Sequence, residues 1–219
     1  ALLRAVYHDE AQSETLAMLA DLQRRKPGRA LVDTLLKLAA VNEHDLSSLH
    51  EAAYVALQSV GDRELARPIL GRLYAEASEQ WRNGSIAWTS SSPDQLVGWA
   101  LAELVSVHEH AGEFARAVQL LVDGARLPFD RTAAHALYHR AAAIASARMS
   151  DSALAIQLYR TLIAEEPTDS KAIAELAALY GAAGRLSDLI DLRKHELKLT
   201  QSKERRLELR IDIAQAFAS

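Results

Sequence analysis

Apolar residues recur every three or four positions along most of the chain, which is the spacing of one face of an α-helix. A clear example is the stripe formed by Leu46, Leu49, Ala53, Ala56, Leu57 and Val60. No stretch alternates with a period of two for long enough to predict a strand. The pattern predicts an all-α fold of about eleven helices, at roughly 10–24, 29–41, 45–60, 62–81, 93–111, 113–127, 130–148, 151–165, 169–182, 185–199 and 202–218.

Short turns with helix-ending chemistry separate these segments. Gly61, Gly112 and Gly184 can each adopt the positive φ with which many helices end. Ser150 and Thr168 are predicted to be N-caps, because their hydroxyls can accept a hydrogen bond from a first-turn amide. Helices joined by such short turns are expected to be antiparallel neighbours.

One break is longer, from Asn83 to Ser92, and it is rich in serine. One interpretation is a surface loop between two helix pairs. The other is a binding loop whose Trp88 docks a partner or folds over a groove.

A repeat becomes visible when the turns are aligned. Gly112 and Gly184 are 72 residues apart, and Ser150 lies at the equivalent turn between them, which gives steps of 38 and 34 residues. Within these frames a small residue is followed four positions later by a bulky one, as in Ala117 with Leu121 and Ala155 with Tyr159. Pro167 ends one unit. These residues resemble the tetratricopeptide repeat, in degenerate units similar to those of long bacterial multi-repeat proteins.

The resemblance implies a right-handed α-solenoid of antiparallel helix pairs. It implies one such solenoid fragment over residues 1–219, with the loop at about 83–92 inserted. In that family a concave groove, lined by the first helix of each unit, binds peptides or partner helices. The groove positions carried over to this chain are Trp99, Ser106, Glu109, Arg140, Ile144 and Lys171. Trp99 is then either a partner anchor or a residue that packs against the 83–92 loop, and Arg140 and Lys171 are candidates to clamp a carboxylate.

Composition and charge limit the classes of partner and of site that the chain can have. The formal net charge of −4 lacks the basic excess expected of a nucleic-acid binder. The chain has no cysteine, which excludes disulfides and thiolate metal sites. No apolar run is long enough to span a bilayer, and no signal peptide opens the chain, so a cytoplasmic location is expected.

Both ends of the chain look cut, since it begins without Met and ends inside a predicted helix. In a longer solenoid a further helix would cover part of the stripe formed by Leu207, Ile211, Ala214 and Phe217. The fragment is therefore expected to expose this stripe and to self-associate through it.

Candidate chemistry is sparse. His135 and His139 share a helix face, but their segment lacks the glutamate of a zinc-protease motif and sequence spacing places no third ligand. They are interpreted as polar helix residues, and no metal, cofactor or catalytic site is predicted. His50 is expected on a helix surface. Basic residues such as Lys194 and Arg205 alternate with acids such as Glu196, which predicts solvated, ion-paired helix faces; the alternative is a docking patch for an anionic partner.

The favoured function is a non-enzymatic scaffold that binds another protein, as a peptide or a folded domain. Two alternatives remain. A regulatory or catalytic helical toroid would need convergent carboxylates in a deep pocket. A helical array that binds nucleic acid would need a continuous basic face.

Overall fold

All the regular secondary structure in the described part of the chain is helical. The computed structural model describes residues 2–42, 45–86, 88 and 90–218, with the backbone alone for residues 2–10 and 218. Helices account for about four-fifths of the chain, and no strand occurs among the described residues. The predicted all-α class is therefore confirmed. The helices are α1 (Leu2–Gln23), α2 (Arg29–Val41), α3 (Leu46–Val55), α4 (Arg63–Arg82), α5 (Pro93–His110), α6 (Phe114–Gly124), α7 (Arg131–Ala147), α8 (Ser152–Glu165), α9 (Ser170–Ala182), α10 (Leu186–Leu199) and α11 (Lys203–Ala218).

The chain divides into two compact units. The first comprises Ala1–Glu113 with Leu127–Phe129, and the second comprises Phe114–Arg126 with Asp130–Ser219. Within each unit every helix packs against the next one in the chain, α1 to α5 in the first unit and α6 to α11 in the second. The predicted packing in successive pairs is confirmed, while the single right-handed solenoid over 1–219 stays a prediction. No helix in the described residues has both the length and the apolarity to cross a bilayer.

Alanine lies where neighbouring helices approach each other. Ala53 and Ala66 in the first unit, and Ala117 and Ala155 in the second, have no exposed surface. Leucines fill much of the remaining core, and Leu49, Leu70, Leu121 and Leu162 are all fully buried. A methyl group lets two helix backbones come close, and the leucines then occupy the space on either side. Ala117 and Ala155 occupy small-residue positions of the predicted repeat.

Aspartate begins most of the helices that have a side-chain cap. The carboxylate of each accepts a hydrogen bond from the amide three residues later, at Asp45, Asp62, Asp130, Asp151 and Asp169. The prediction of Ser150 and Thr168 as caps was therefore wrong by one residue in each case. Ser150 instead has a φ of 54°, so it takes the helix-ending conformation that Gly112 and Gly184 adopt with φ of 75° and 64°.

Two helices differ from their predicted bounds. Helix α1 begins at Leu2, because the strong helix formers before residue 10 continue the helix and no breaker precedes Pro27. The predicted helix 45–60 is α-helical only to Val55 and continues as a π-helical turn, Ala56–Val60, that ends at Gly61 with a φ of 72°. The break between α4 and α5 spans residues 83–92 as predicted, although positions 87 and 89 lie outside the described residues.

Helices α10 and α11 are joined by ion pairs. Arg205 of α11 lies 2.7 Å from Glu196 of α10 and 2.9 Å from Glu208. Arg193 lies 2.8 Å from Glu196 and 3.4 Å from Asp212. These contacts confirm that basic residues here pair with the interleaved acids. On α11 the side chains of Leu207, Ile211, Ala214 and Phe217 are exposed, as predicted for the apolar stripe.

The alanine spacing is testable at Ala155. We expect Ala155→Leu to lower the free energy of unfolding by roughly 1–3 kcal/mol, because three extra carbons have no room between packed helices. Ala153, an exposed residue of the same helix, provides the control, and Ala153→Leu should change stability by less than about 0.5 kcal/mol. Urea unfolding followed by circular dichroism measures both. Equal stability of the two variants would show that residue 155 is not at a close helix contact.

Candidate functional site

Three rings from separate parts of the first unit form an aromatic cluster, which we define as His50, Trp88 and Trp99. The ring centroids of His50 and Trp99 are 4.5 Å apart with an interplanar angle of 61°. Those of His50 and Trp88 are 5.3 Å apart with an angle of 64°. Both contacts have the edge-to-face geometry that aromatic quadrupoles favour. All three side chains are half-buried, so each ring packs partly against the first unit and keeps part of its surface exposed to solvent.

Three segments of chain bring the rings together. His50 lies on α3, Trp99 lies on α5, and Trp88 lies in the 83–92 loop that precedes α5. In the loop, the Trp88 indole N–H donates to the hydroxyl oxygen of Ser91 at 2.7 Å, which satisfies its polar atom locally. Tyr54 stands four residues after His50 on the same face of α3 and is 52% exposed. An exposed aromatic side chain therefore lies about one helical turn from His50.

A second aromatic contact of the first unit lies beside α5. Residues 127–129 belong to the first unit, and a Cβ on Gly98 would be in ordinary van der Waals contact with the Phe129 ring, at 3.6 Å. The ring of Trp81 on α4 meets Phe129 edge to face, with centroids 4.8 Å apart. This contact involves none of the three rings of the cluster.

Burial affects the charge of the cluster. Desolvation lowers the pKa of His50 from its ordinary 6.5, against an opposing effect of the adjacent Glu51 carboxylate, so the ring is neutral at pH 7. Glu51 is itself paired in a fork with Arg24, which directly follows α1 and whose Nε and Nη2 atoms each donate at 2.6 Å. This bidentate pair holds α1 against α3 next to the cluster.

The remaining predicted groove residues of the first unit lie farther along α5. Ser106 and Glu109 are half-buried. The spacing of seven residues puts Ser106 on the same helix face as Trp99, and Glu109 lies three residues after Ser106. The backbone oxygen of Ser106 accepts a hydrogen bond of 2.7 Å from His110 Nδ1.

The predicted groove residues of the second unit have different exposures. Arg140 on α7 is half-buried and Lys171 near the start of α9 is exposed. Ile144 is only 6% exposed, so it packs into the core of its unit and offers almost no surface to a partner. The proposal of Ile144 as a partner contact is therefore corrected, because it lies on the inward apolar stripe of α7.

The structure also brings together residues that sequence spacing left apart. His50 joins Trp88 to Trp99, although it was expected on the helix surface. In the second unit, His135 and His139 of α7 meet Asp169, with one candidate ligand atom of each within 4.8 Å of the others. Asp169 was not foreseen there, because it is 30 residues from His139 and the only local signal was a helix start.

Comparisons with known proteins give limited guidance. No protein-family model matches the chain, and no curated protein sequence matches it. Among solved structures the chain is similar to the crystal structure of MamA protein, with a TM-score of 0.46 and 15% identity over 85% of this chain and 91% of that one. It is also similar to the MamA RS-1 ArsTM double mutant, with a TM-score of 0.42 and 12% identity over 91% of this chain and 94% of that one. These likenesses assign neither a family nor a function, and membership of the tetratricopeptide family stays a prediction.

The lowered pKa of His50 predicts a pH dependence of stability. Below the ordinary pKa of 6.5 the unfolded chain takes up a proton that the buried folded ring resists, so the unfolded state binds more protons. The contribution of His50 to stability is thus fully present above pH 6.5 and declines as the pH falls below it. We expect urea unfolding at pH 7 and pH 5 to show a smaller loss on acidification for His50→Gln than for the unmodified chain. Identical losses would contradict the burial of a neutral His50.

Proposed function

We propose that this chain is a protein-interaction scaffold that binds a partner polypeptide at the aromatic cluster and Tyr54. The observation that carries the proposal is the convergence of Trp88 and Trp99 on His50, next to the exposed Tyr54. Tryptophan and tyrosine are enriched at the energetic centres of protein interfaces, where they combine a large apolar area with a polar atom. Their mutual packing also reduces the conformational entropy that binding would otherwise cost.

The surface suits an extended or helical segment that inserts one apolar or cationic side chain between the rings. Aromatic faces accept both kinds of group, since they are apolar and carry partial negative charge. Helices α3 and α5 are the first helices of two successive predicted repeats, so their contact through His50 and Trp99 supports the groove expected from the resemblance. In the second unit, Arg140 and Lys171 remain proposed contacts for a partner carboxylate.

Ion pairing weighs against the nucleic-acid alternative in α10 and α11. Arg193 and Arg205 each lie between two carboxylates, so they are already neutralised within the protein. A nucleic-acid surface needs cations that are available to phosphates. For the enzymatic alternative, no observation in the described part of the chain favours a reaction, and no catalytic role is proposed.

The proposal predicts that removing the ring of Tyr54 or of Trp99 abolishes the binding of a partner protein. In affinity capture, the unmodified chain and Trp81→Ala should both retain a partner protein. Tyr54→Ala and Trp99→Ala should lose it. Trp81→Ala is the matched control, because it truncates a half-buried tryptophan of the same unit outside the cluster.

The captured protein, once purified, should bind Tyr54→Ala and Trp99→Ala at least tenfold more weakly, or about 1.4 kcal/mol. Circular dichroism should show unchanged helix content. An affinity that falls equally in Trp81→Ala would mean that general destabilisation, and not the cluster, explains the loss.

We also propose that the apolar stripe on α11 mediates self-association. Leu207, Ile211 and Phe217 are exposed together on one helix, and adjacent apolar side chains of this size favour association. Sedimentation equilibrium should show a concentration-dependent dimer that Leu207→Ser with Ile211→Ser weakens. Met18→Ser, a change of an exposed apolar residue on α1, should leave the dimer intact. A chain that stays monomeric at high concentration would refute the proposal.

A further inference from the structure

Helix α7 presents two histidines that are largely withdrawn from water. His135 and His139 are four residues apart, which places them on one helix face with ring centroids 6.4 Å apart. The side chain of His135 is 9% exposed and that of His139 is 18% exposed. Two buried imidazoles on one face need polar partners that water does not supply.

Asp169 provides a carboxylate whose position is set by the backbone. It is the N-cap of α9, and its Oδ1 accepts a hydrogen bond of 2.9 Å from the amide of Ala172. Its other oxygen, Oδ2, lies 2.6 Å from His139 Nε2, and the side chain is 11% exposed. One oxygen of the carboxylate is therefore held by the helix and the other is directed at the imidazole.

The hydrogen bonds within the group leave two nitrogen atoms unused. His135 Nε2 and His139 Nδ1 are buried and have no hydrogen-bond partner. Glu165 Oε2 lies 3.3 Å from His135 Nε2, but outside hydrogen-bond geometry. Buried polar atoms without a partner cost free energy and call for an explanation such as a bound ion.

Further carboxylates surround the histidines. Glu165 ends α8 and Glu166 follows it, with Glu166 Oε2 lying 3.7 Å from His135 Nδ1. Both glutamates and His135 line one cavity together with Arg131. Arg131 Nη2 donates to the backbone oxygen of Glu165, and the carboxylates of both glutamates lie close to His135. Two imidazoles with three carboxylates form an environment that favours a cation.

We propose that His135, His139 and Asp169 bind a divalent transition-metal ion, with Zn²⁺ as the best match. One candidate ligand atom from each lies within 4.8 Å of the others. Zn²⁺ takes histidine nitrogens and carboxylate oxygens at about 2.0–2.2 Å, so tetrahedral ligand atoms are about 3.3 Å apart. Binding would therefore require side-chain rotations that shorten the wider separations and open the His139–Asp169 hydrogen bond. Glu165 supplies a fourth oxygen, and Glu166 is placed to hold the His135 ring from its other nitrogen.

The donor set argues for a transition metal over Ca²⁺ or Mg²⁺. Imidazole suits zinc and its neighbours, whereas the two hard cations take oxygen ligands. A bound ion would join α7 to the turn between α8 and α9. The site is thus expected to stabilise the second unit, in addition to any role in partner binding.

Calorimetric titration of the untagged, chelator-treated chain with ZnCl₂ tests the proposal. We expect one Zn²⁺ per chain, with affinity at least tenfold weaker in His139→Gln and Asp169→Asn. Asp169→Asn keeps an oxygen that can cap α9 and is the variant least harmful to folding. His110→Gln, which removes an exposed histidine outside the group, should bind as the unmodified chain does.

Two further measurements keep the test decisive if a variant folds poorly. Free Zn²⁺ at a hundred times its dissociation constant should raise the melting temperature of the unmodified chain by roughly 5–10 °C. Co²⁺ should give the intense visible absorption of tetrahedral coordination. The proposal is overturned if Zn²⁺ does not bind stoichiometrically, if both variants bind it as tightly as the unmodified chain, or if Ca²⁺ binds equally well.

Discussion

The close approach of helices at alanine is the constraint on which the rest of each unit depends. Ala53, Ala66, Ala117 and Ala155 are fully buried, and a methyl side chain lets the backbones of packed helices come close. That spacing brings side chains from helices far apart in sequence into contact. His50 and Trp99 meet across two helices of the first unit, and His139 meets Asp169 across the second. A wider helix spacing would separate both groups.

The periodic part of the structure could be predicted, because it depends on local spacing. Apolar residues at intervals of three and four predict all eleven helices, and the turn glycines with positive φ lie where the repeat places them. The repeat frame also locates the buried alanines. Membership of the tetratricopeptide family stays a prediction, because no family model matches the chain. A continuous solenoid also stays a prediction, because the chain divides into two units.

The sites were harder to predict because their members come from different helices. Trp88 and Trp99 were both singled out, but nothing local indicates that His50 joins them. Ile144 was placed on a surface by the resemblance, although its position on an apolar stripe already favoured the core. Asp169 was missed as a neighbour of His139 because Thr168 was preferred as the helix cap. A carboxylate accepts the cap hydrogen bond with one oxygen and keeps the other for a second contact, which a hydroxyl does less well.

The contact between Trp88 and His50 affects how readily a protease can cut the 83–92 loop. The loop is rich in small polar residues, the composition in which proteases most often cut folded chains. Trp88 ties it to His50, so a protease that needs an extended substrate must first separate these rings. The cleavage rate within the loop therefore reports how firmly the cluster is closed. A bound polypeptide that contacts the rings would protect a peptide bond it does not itself cover.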